Sequence, residues 1–188
     1  YAEGVADFIA RIENDKKYSF RLVNELFDNF SADKAELASM VFEKCEEYMK
    51  INVIKAISDY CLFEFEPMYI EGMSSKNPAM RIACVKALGD LANPKNEQLL
   101  ITATYDKDWV VRSSAVKGLG KIDTPRSLEG IKEAIKDKEW WVRQAAAGAL
   151  INRNVSISDI EDILGGYDKY AADAVKYALY RSVDIKEG

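Results

Sequence analysis

The sequence predicts an all-α protein, a right-handed α-solenoid (α/α superhelix) of about six two-helix repeats with a 31-residue period. Two observations predict this class. An arginine recurs at Arg81, Arg112 and Arg143, and a leucine follows each of them seven positions later. Around each arginine, apolar residues at positions −1, +3, +4 and +7 share one face of a helix. A unit of this size cannot bury that face alone, so neighbouring units must stack.

The same register continues on both sides of the three arginines. Two earlier copies keep the apolar slots, with Val53, Ile54 and Ile57 in one and Leu22, Val23 and Leu26 in the other. A last copy, AADAVKYALYRS at 171–182, fits if either two or three residues are deleted, and the pattern allows both. The predicted repeats span about 2–30, 31–62, 63–93, 94–123, 124–154 and 155–186. They form one domain over 1–188, and the first residue, Tyr1 rather than Met, favours a fragment of a longer protein.

Local signals predict where the helices begin. The second helix of each repeat has its N-cap at a fixed slot, occupied by Asn77 (followed by proline), Asp108 and Glu139. Asparagine and aspartate are good caps, and glutamate is a weaker one. The other half of the repeat is also helical, and Thr124, again followed by proline, starts that first helix in repeat 124–154.

The most regular copies carry a family resemblance. DKDWVVRSSAVKGLG at 106–120 and DKEWWVRQAAAGAL at 137–150 closely resemble HEAT-like repeats of the short type named for phycobilisome (bilin) lyases. The pattern residues are Asp106, Val111, Arg112, Ala115, Leu119 and Gly120, and then Asp137, Val142, Arg143, Ala146 and Leu150. The resemblance implies an armadillo/HEAT-like fold whose second helices line the concave surface. It implies a fold more than an activity, because such repeats occur in proteins of unrelated function.

The composition argues against most enzymatic chemistry. The chain contains no histidine, which excludes the Ser-His-Asp and Cys-His arrangements and removes the commonest metal ligand. GLGK at 118–121 does not match a phosphate-binding loop. The sequence therefore predicts no catalytic residue, no metal site and no cofactor.

Charge and cysteine content narrow the environment and the partners. A net charge of −5 lacks the basic excess of a nucleic-acid binder, so no nucleic acid is expected. No apolar run approaches the length of a membrane span, so no membrane insertion by this segment is expected. Cys45, Cys61 and Cys84 are an odd set without a C-x-x-C pair, which favours buried thiols in a reducing, cytoplasmic location.

The repeated arginines have two interpretations. Arg81, Arg112 and Arg143 follow acidic or capping residues such as Asp106 and Asp137 by a few positions. This favours a structural ladder between neighbouring repeats, and direct ligand binding is the alternative.

The tryptophans and lysines are the candidate contact residues. Trp109 and Trp140 begin second helices, where packing over the preceding loop is the favoured interpretation and binding the alternative. Trp141 fills a slot that should face outward, and exposed aromatic residues are typical of binding hot spots. Gln144 lies one turn further along. Lysines recur five positions after the arginine slot, at Lys55, Lys86 and Lys117. They are interpreted either as a basic stripe or as surface charges that Asp59 and Asp90 partly neutralise.

The leading functional hypothesis is a non-enzymatic scaffold that binds a protein or peptide on its concave surface. The predicted contacts are Trp109, Trp140, Trp141, Gln144, Lys86 and Lys117. The resemblance implies two alternatives. One is a subunit of a bilin lyase or isomerase, and the other is a DNA-binding relative of the HEAT-like alkylpurine glycosylases.

Overall fold

The computed structural model describes residues 7, 10, 21, 23–25, 28, 34–58, 60, 63–153 and 155–184. These residues form helices and connecting turns, and they contain no strand, which confirms the predicted all-α class. The chain divides into two compact units, Tyr1–Leu91 and Ala92–Gly188. One continuous domain over 1–188 stays a prediction. The predicted repeat 2–30, with Leu22 and Leu26, lies mostly outside the described residues, as do Cys61 and Asp59.

From residue 34 onward, the described part of the first unit contains two helical pairs. Its helices are α1 (Lys34–Lys44), α2 (Glu47–Ser58), α3 (Glu66–Gly72, after a 3₁₀ turn at Phe63–Phe65) and α4 (Pro78–Leu91). Helix α1 packs on α2, α3 packs on α4, and the second helices α2 and α4 pack on each other. The predicted apolar slots are buried, namely Val53, Ile54, Ile57, Cys84, Val85 and Leu88. Cys45 and Cys84 are buried, reduced thiols, and burial raises the pKa of Cys84 to about 12.

The described residues of the second unit form three helical pairs. A 3₁₀ turn at Pro94–Asn96 precedes α5 (Glu97–Ala103), α6 (Trp109–Leu119), α7 (Pro125–Ala134), α8 (Trp140–Asn152), α9 (Ile157–Gly165) and α10 (Lys169–Asp184). The pairs are α5 with α6, α7 with α8, and α9 with α10. The second helices stack in the order α6, α8, α10, as in a HEAT-like solenoid. A Cβ on Gly120 would lie 3.0 Å from the Cβ of Ala149, so glycine permits close approach of the α6 end to α8.

The helix starts follow the capping signals. The Asn77 carboxamide oxygen accepts a hydrogen bond from the amide of Ala79 at 3.0 Å, and Asp108 caps Val110 at 2.8 Å. Thr124 and Ser127 form a capping box at the start of α7. Glu139 makes no side-chain capping bond, in agreement with its weaker preference for this position.

The cap of α10 settles the alignment of the last repeat. The Asp168 carboxylate accepts hydrogen bonds from the amides of Tyr170 and Ala171, at 3.0 and 3.1 Å. Asp168 therefore fills the cap slot of Glu139, 29 rather than 31 positions later (168 − 139 = 29), and two residues are deleted. This alignment puts Ala172, which is buried, in the arginine slot.

Candidate partner-binding surface

Each repeated arginine holds the loop between the two helices of its own repeat. The three side chains are buried, and each donates from Nη1 to two consecutive carbonyl oxygens five and six residues earlier. The acceptors are Ser75 and Lys76 for Arg81, Asp106 and Lys107 for Arg112, and Asp137 and Lys138 for Arg143. These bonds fix the loop against the second helix. These bonds lie within one repeat, and a ladder of arginines between neighbouring repeats stays a prediction.

Arg112 also connects two repeats. Its Nε and Nη2 atoms donate to the two oxygens of Asp137 at 2.7 and 2.9 Å, and the side chains are 7% and 11% exposed. The hydrogen bond to Asp137 raises the pKa of Arg112. Burial alone would raise the pKa of Asp137, but the Arg112 hydrogen bond and the amide of Glu139 outweigh it and hold that pKa below its usual value. The bidentate pair thus links the α6 repeat to the loop before α8.

Arg143 has a different neighbour. Its guanidinium carbon lies 5.3 Å from the centre of the Tyr170 ring, and its Nε is buried without a hydrogen-bond partner. Asp168, one full period after Asp137, caps α10 instead. The deletion in the last repeat therefore replaces an ion pair with a cation–π contact.

The three tryptophans form an exposed row with one tyrosine. Trp109 opens α6, and Trp140 and Trp141 open α8, with 39%, 42% and 58% of their surfaces exposed. The Trp109 and Trp141 rings are nearly parallel, with centroids 6.3 Å apart. Trp140 stands edge-on to Trp141 at 4.6 Å and meets Tyr177 of α10 at 5.9 Å. We call these four residues the aromatic row; it crosses three neighbouring second helices.

A groove of about 390 Å³ lies between α8 and α10 beside this row. Trp140, Trp141 and Gln144 line it from α8, and Tyr177 and Arg181 line it from α10. The amide nitrogen of Gln144 is buried and has no hydrogen-bond partner. The groove therefore combines aromatic walls, an unused donor and a cation.

The structure brings the predicted tryptophans and Gln144 together, and Lys117 of the same unit lies outside this group. Lys86 belongs to the first unit, where its Nζ lies 3.1 Å from Asp90. Lys117 is exposed on α6 of the second unit and does not line the groove. The basic stripe stays a prediction.

Two contributors to this surface were not found from the sequence. Tyr177 and Arg181 could not be placed opposite Trp140 while the alignment of the last repeat was open. With two residues deleted, Tyr177 takes the slot of Gly148 and Lys117 (177 − 29 = 148; 148 − 31 = 117). The capping aspartate at 168 was the signal that would have fixed this alignment.

Across the part of the chain that the structure describes, no three His, Cys, Asp or Glu side chains are grouped so as to hold a metal ion. None of the described helices has the length and apolar character required to cross a bilayer.

Comparison with known proteins finds a similarity for the central part of the chain. A family model described as HEAT repeats matches residues 66–151, from the start of α3 into the last turn of α8. No curated protein matches the chain. HEAT repeats are generally protein-interaction scaffolds. The match does not extend to the phycobilisome-lyase subtype. Residues 66–151 are therefore similar to HEAT repeats, and their stacked helical pairs agree with that similarity.

Proposed function

We propose that this chain is a non-enzymatic interaction module that binds a protein or peptide through the second-helix surface of its repeats. The observation that carries the proposal is the aromatic row. Three tryptophans on adjacent helices remain 39% to 58% exposed although their rings contact one another. Large exposed aromatic clusters are uncommon on isolated proteins and are enriched at binding hot spots.

The partner is a protein or peptide because of the shape and charge of this surface. Stacked repeats present extended surfaces formed by successive helices, which suit polypeptides better than small molecules. The net charge of −5 disfavours nucleic acid. Lys86 in the first unit and Lys117 in the second are separate proposed contacts, and their positive charge suits an acidic partner.

No observation on the described residues favours the alternative functions. The bilin-lyase and alkylpurine-glycosylase alternatives rest on the resemblance alone. In those alternatives the aromatic row would stack on a chromophore or a DNA base, whereas in our proposal it contacts a protein.

An affinity pull-down from native lysate tests the function with three proteins in parallel. These are wild type, Trp141→Ala and the control Tyr105→Ala, which removes an aromatic side chain that is 74% exposed outside the row. We expect a partner that wild type and Tyr105→Ala retain and Trp141→Ala loses, with equal helicity by circular dichroism. A partner set that is identical for all three proteins would contradict the aromatic row as the contact. Lys86→Glu and Lys117→Glu would then test the basic component.

A further inference from the structure

We propose that the groove between α8 and α10 binds an extended, proline-containing peptide segment whose carboxylate side chain pairs with Arg181. This inference rests on the proposed function and specifies the chemistry of its partner. Three features of the groove carry it: the angles between its aromatic rings, the unused amide donor of Gln144 and the charge of Arg181.

The aromatic rings form a corner instead of a flat wall. The plane of Trp140 lies at 82° to Trp141 and at 64° to Tyr177, and all three side chains are exposed. A corner of this kind offers ring faces in more than one direction to a narrow, rigid ligand. Proline rings in a polyproline II segment match such surfaces, and the segment loses little conformational entropy on binding because its shape is preformed.

Gln144 supplies the polar contact. Its amide nitrogen is buried in the groove wall without a partner, and an unpaired buried donor is costly. A polyproline II backbone has no internal hydrogen bonds, so its carbonyl oxygens are free to accept. Because this nitrogen has almost no accessible surface, the Gln144 side chain must rotate toward the groove for a peptide carbonyl to accept from it, and that bond would set the register of the segment.

Arg181 sets the charge of the ligand. It is the one charged side chain among the residues that line the groove. No carboxylate in the described part of the chain forms an ion pair with Arg181. Because the remaining lining is aromatic, aliphatic or neutral and polar, the complementary ligand carries a carboxylate at this end of the groove.

Fluorescence anisotropy with a defined peptide tests the inference. The probe is fluorescein-labelled Gly-Pro-Pro-Ala-Pro-Glu-Gly, compared with versions in which Glu is replaced by Gln or Lys and in which every Pro is replaced by Ala. We expect binding of the probe to wild type, and at least about tenfold weaker binding of the Lys and all-Ala versions. Trp141→Ala and Gln144→Leu should each weaken binding of the probe by about tenfold.

Charge reversal separates recognition from a structural effect. Arg181→Glu should bind the Lys peptide better than the Glu peptide, which inverts the preference of wild type. Lys176→Glu is the matched control, because Lys176 is exposed on the same helix, does not line the groove and undergoes the same change of charge. The control should keep the wild-type preference, and circular dichroism should show the same helicity for both variants.

Three results would overturn the inference. The first is no binding of any peptide at about 1 mM, and the second is an unchanged preference in Arg181→Glu. The third is a dimer in sedimentation that Trp141→Ala abolishes, which would assign the groove to a second copy of the chain. If a partner is still lost from Trp141→Ala in the pull-down, the proposed function stands and only the peptide chemistry fails.

Discussion

Arg112 and Arg143 occupy the same slot in neighbouring repeats and hold their own loops in the same way. They differ in what the next repeat offers them. Arg112 meets the carboxylate of Asp137 in a bidentate pair, whereas Arg143 meets the ring of Tyr170. The comparison shows that the loop-holding role is set within the repeat, while the contact between repeats depends on the exact length of the following loop.

We call the contacts that Arg112 and Arg143 make with the next repeat the two junctions. They should also differ in how much they contribute to the free energy of unfolding. Removing Arg112 leaves the nearly buried Asp137 without its counter-ion, and an uncompensated buried charge is strongly destabilising. Removing Arg143 leaves two loop carbonyls and an aromatic ring, none of which carries a net charge. Substitutions that keep the aliphatic length of the side chain can measure this difference.

The largest expected effect is that of Arg112→Met. We expect this variant to lose about 3 kcal/mol of unfolding free energy, because a buried ion pair is broken on one side. Arg143→Met should lose about 1 to 2 kcal/mol, from two loop hydrogen bonds and a cation–π contact. Urea denaturation followed by tryptophan fluorescence measures both, since all three tryptophans lie in the second unit.

Asp137→Asn provides the control for this pair of variants. The asparagine keeps an oxygen that accepts from the amide of Glu139. It has no negative charge, so Arg112→Met leaves no unpaired carboxylate in this background. Arg112→Met should therefore cost less in the Asp137→Asn background than in wild type. Equal losses for Arg112→Met and Arg143→Met in wild type would show that the two junctions are energetically alike.

The difference between the junctions should depend on pH. The pKa of Asp137 is held below its usual value, so its contribution to stability is full above the unfolded pKa of about 3.9 and is lost as the pH falls through the native pKa. Arg112→Met should lose more unfolding free energy than Arg143→Met, and we expect this excess loss to be constant near neutral pH. Below about pH 4 it should shrink, because the abandoned carboxylate becomes protonated.

Urea denaturation of both variants between pH 7 and pH 3 measures this dependence. The Asp137→Asn protein is again the control and should show a smaller loss of stability over the same acid range. An excess cost that stays constant down to pH 3 would mean that Asp137 is not the source of the difference.

The extent to which the sequence predicted this structure follows from how local each feature is. The caps at Asn77, Asp108 and Thr124 depend on a few neighbouring residues, and the buried slots depend on a regular period, so both could be read from the sequence. The neighbour of Arg143 depends on a two-residue deletion that is compatible with the helical pattern in more than one alignment. Tyr177 and Arg181 were not predicted as part of the site, because their positions opposite α8 depend on the same alignment.

A smaller effect is expected from Tyr170→Leu. This change removes the ring beneath Arg143 but keeps its two loop hydrogen bonds, so we expect a loss of about 1 kcal/mol or less. Tyr167→Leu is the control, since Tyr167 is fully exposed nearby. If both variants unfold at the same urea concentration as wild type, Tyr170 does not replace the carboxylate energetically, and the Arg143 junction is held by its loop alone.

The smallest effect on stability is expected from Trp141→Ala, at about 0.5 kcal/mol. The side chain is mostly exposed, and its ring contacts with Trp109 and Trp140 lie at the surface. Because this change also removes a fluorescent probe, circular dichroism must follow the denaturation. A loss as large as that of Arg112→Met would make the row part of the core. A loss near the expected value, together with lost binding, would show that the two groups of residues have different roles. The arginines would stabilise the stacked repeats, and the aromatic row would bind the partner.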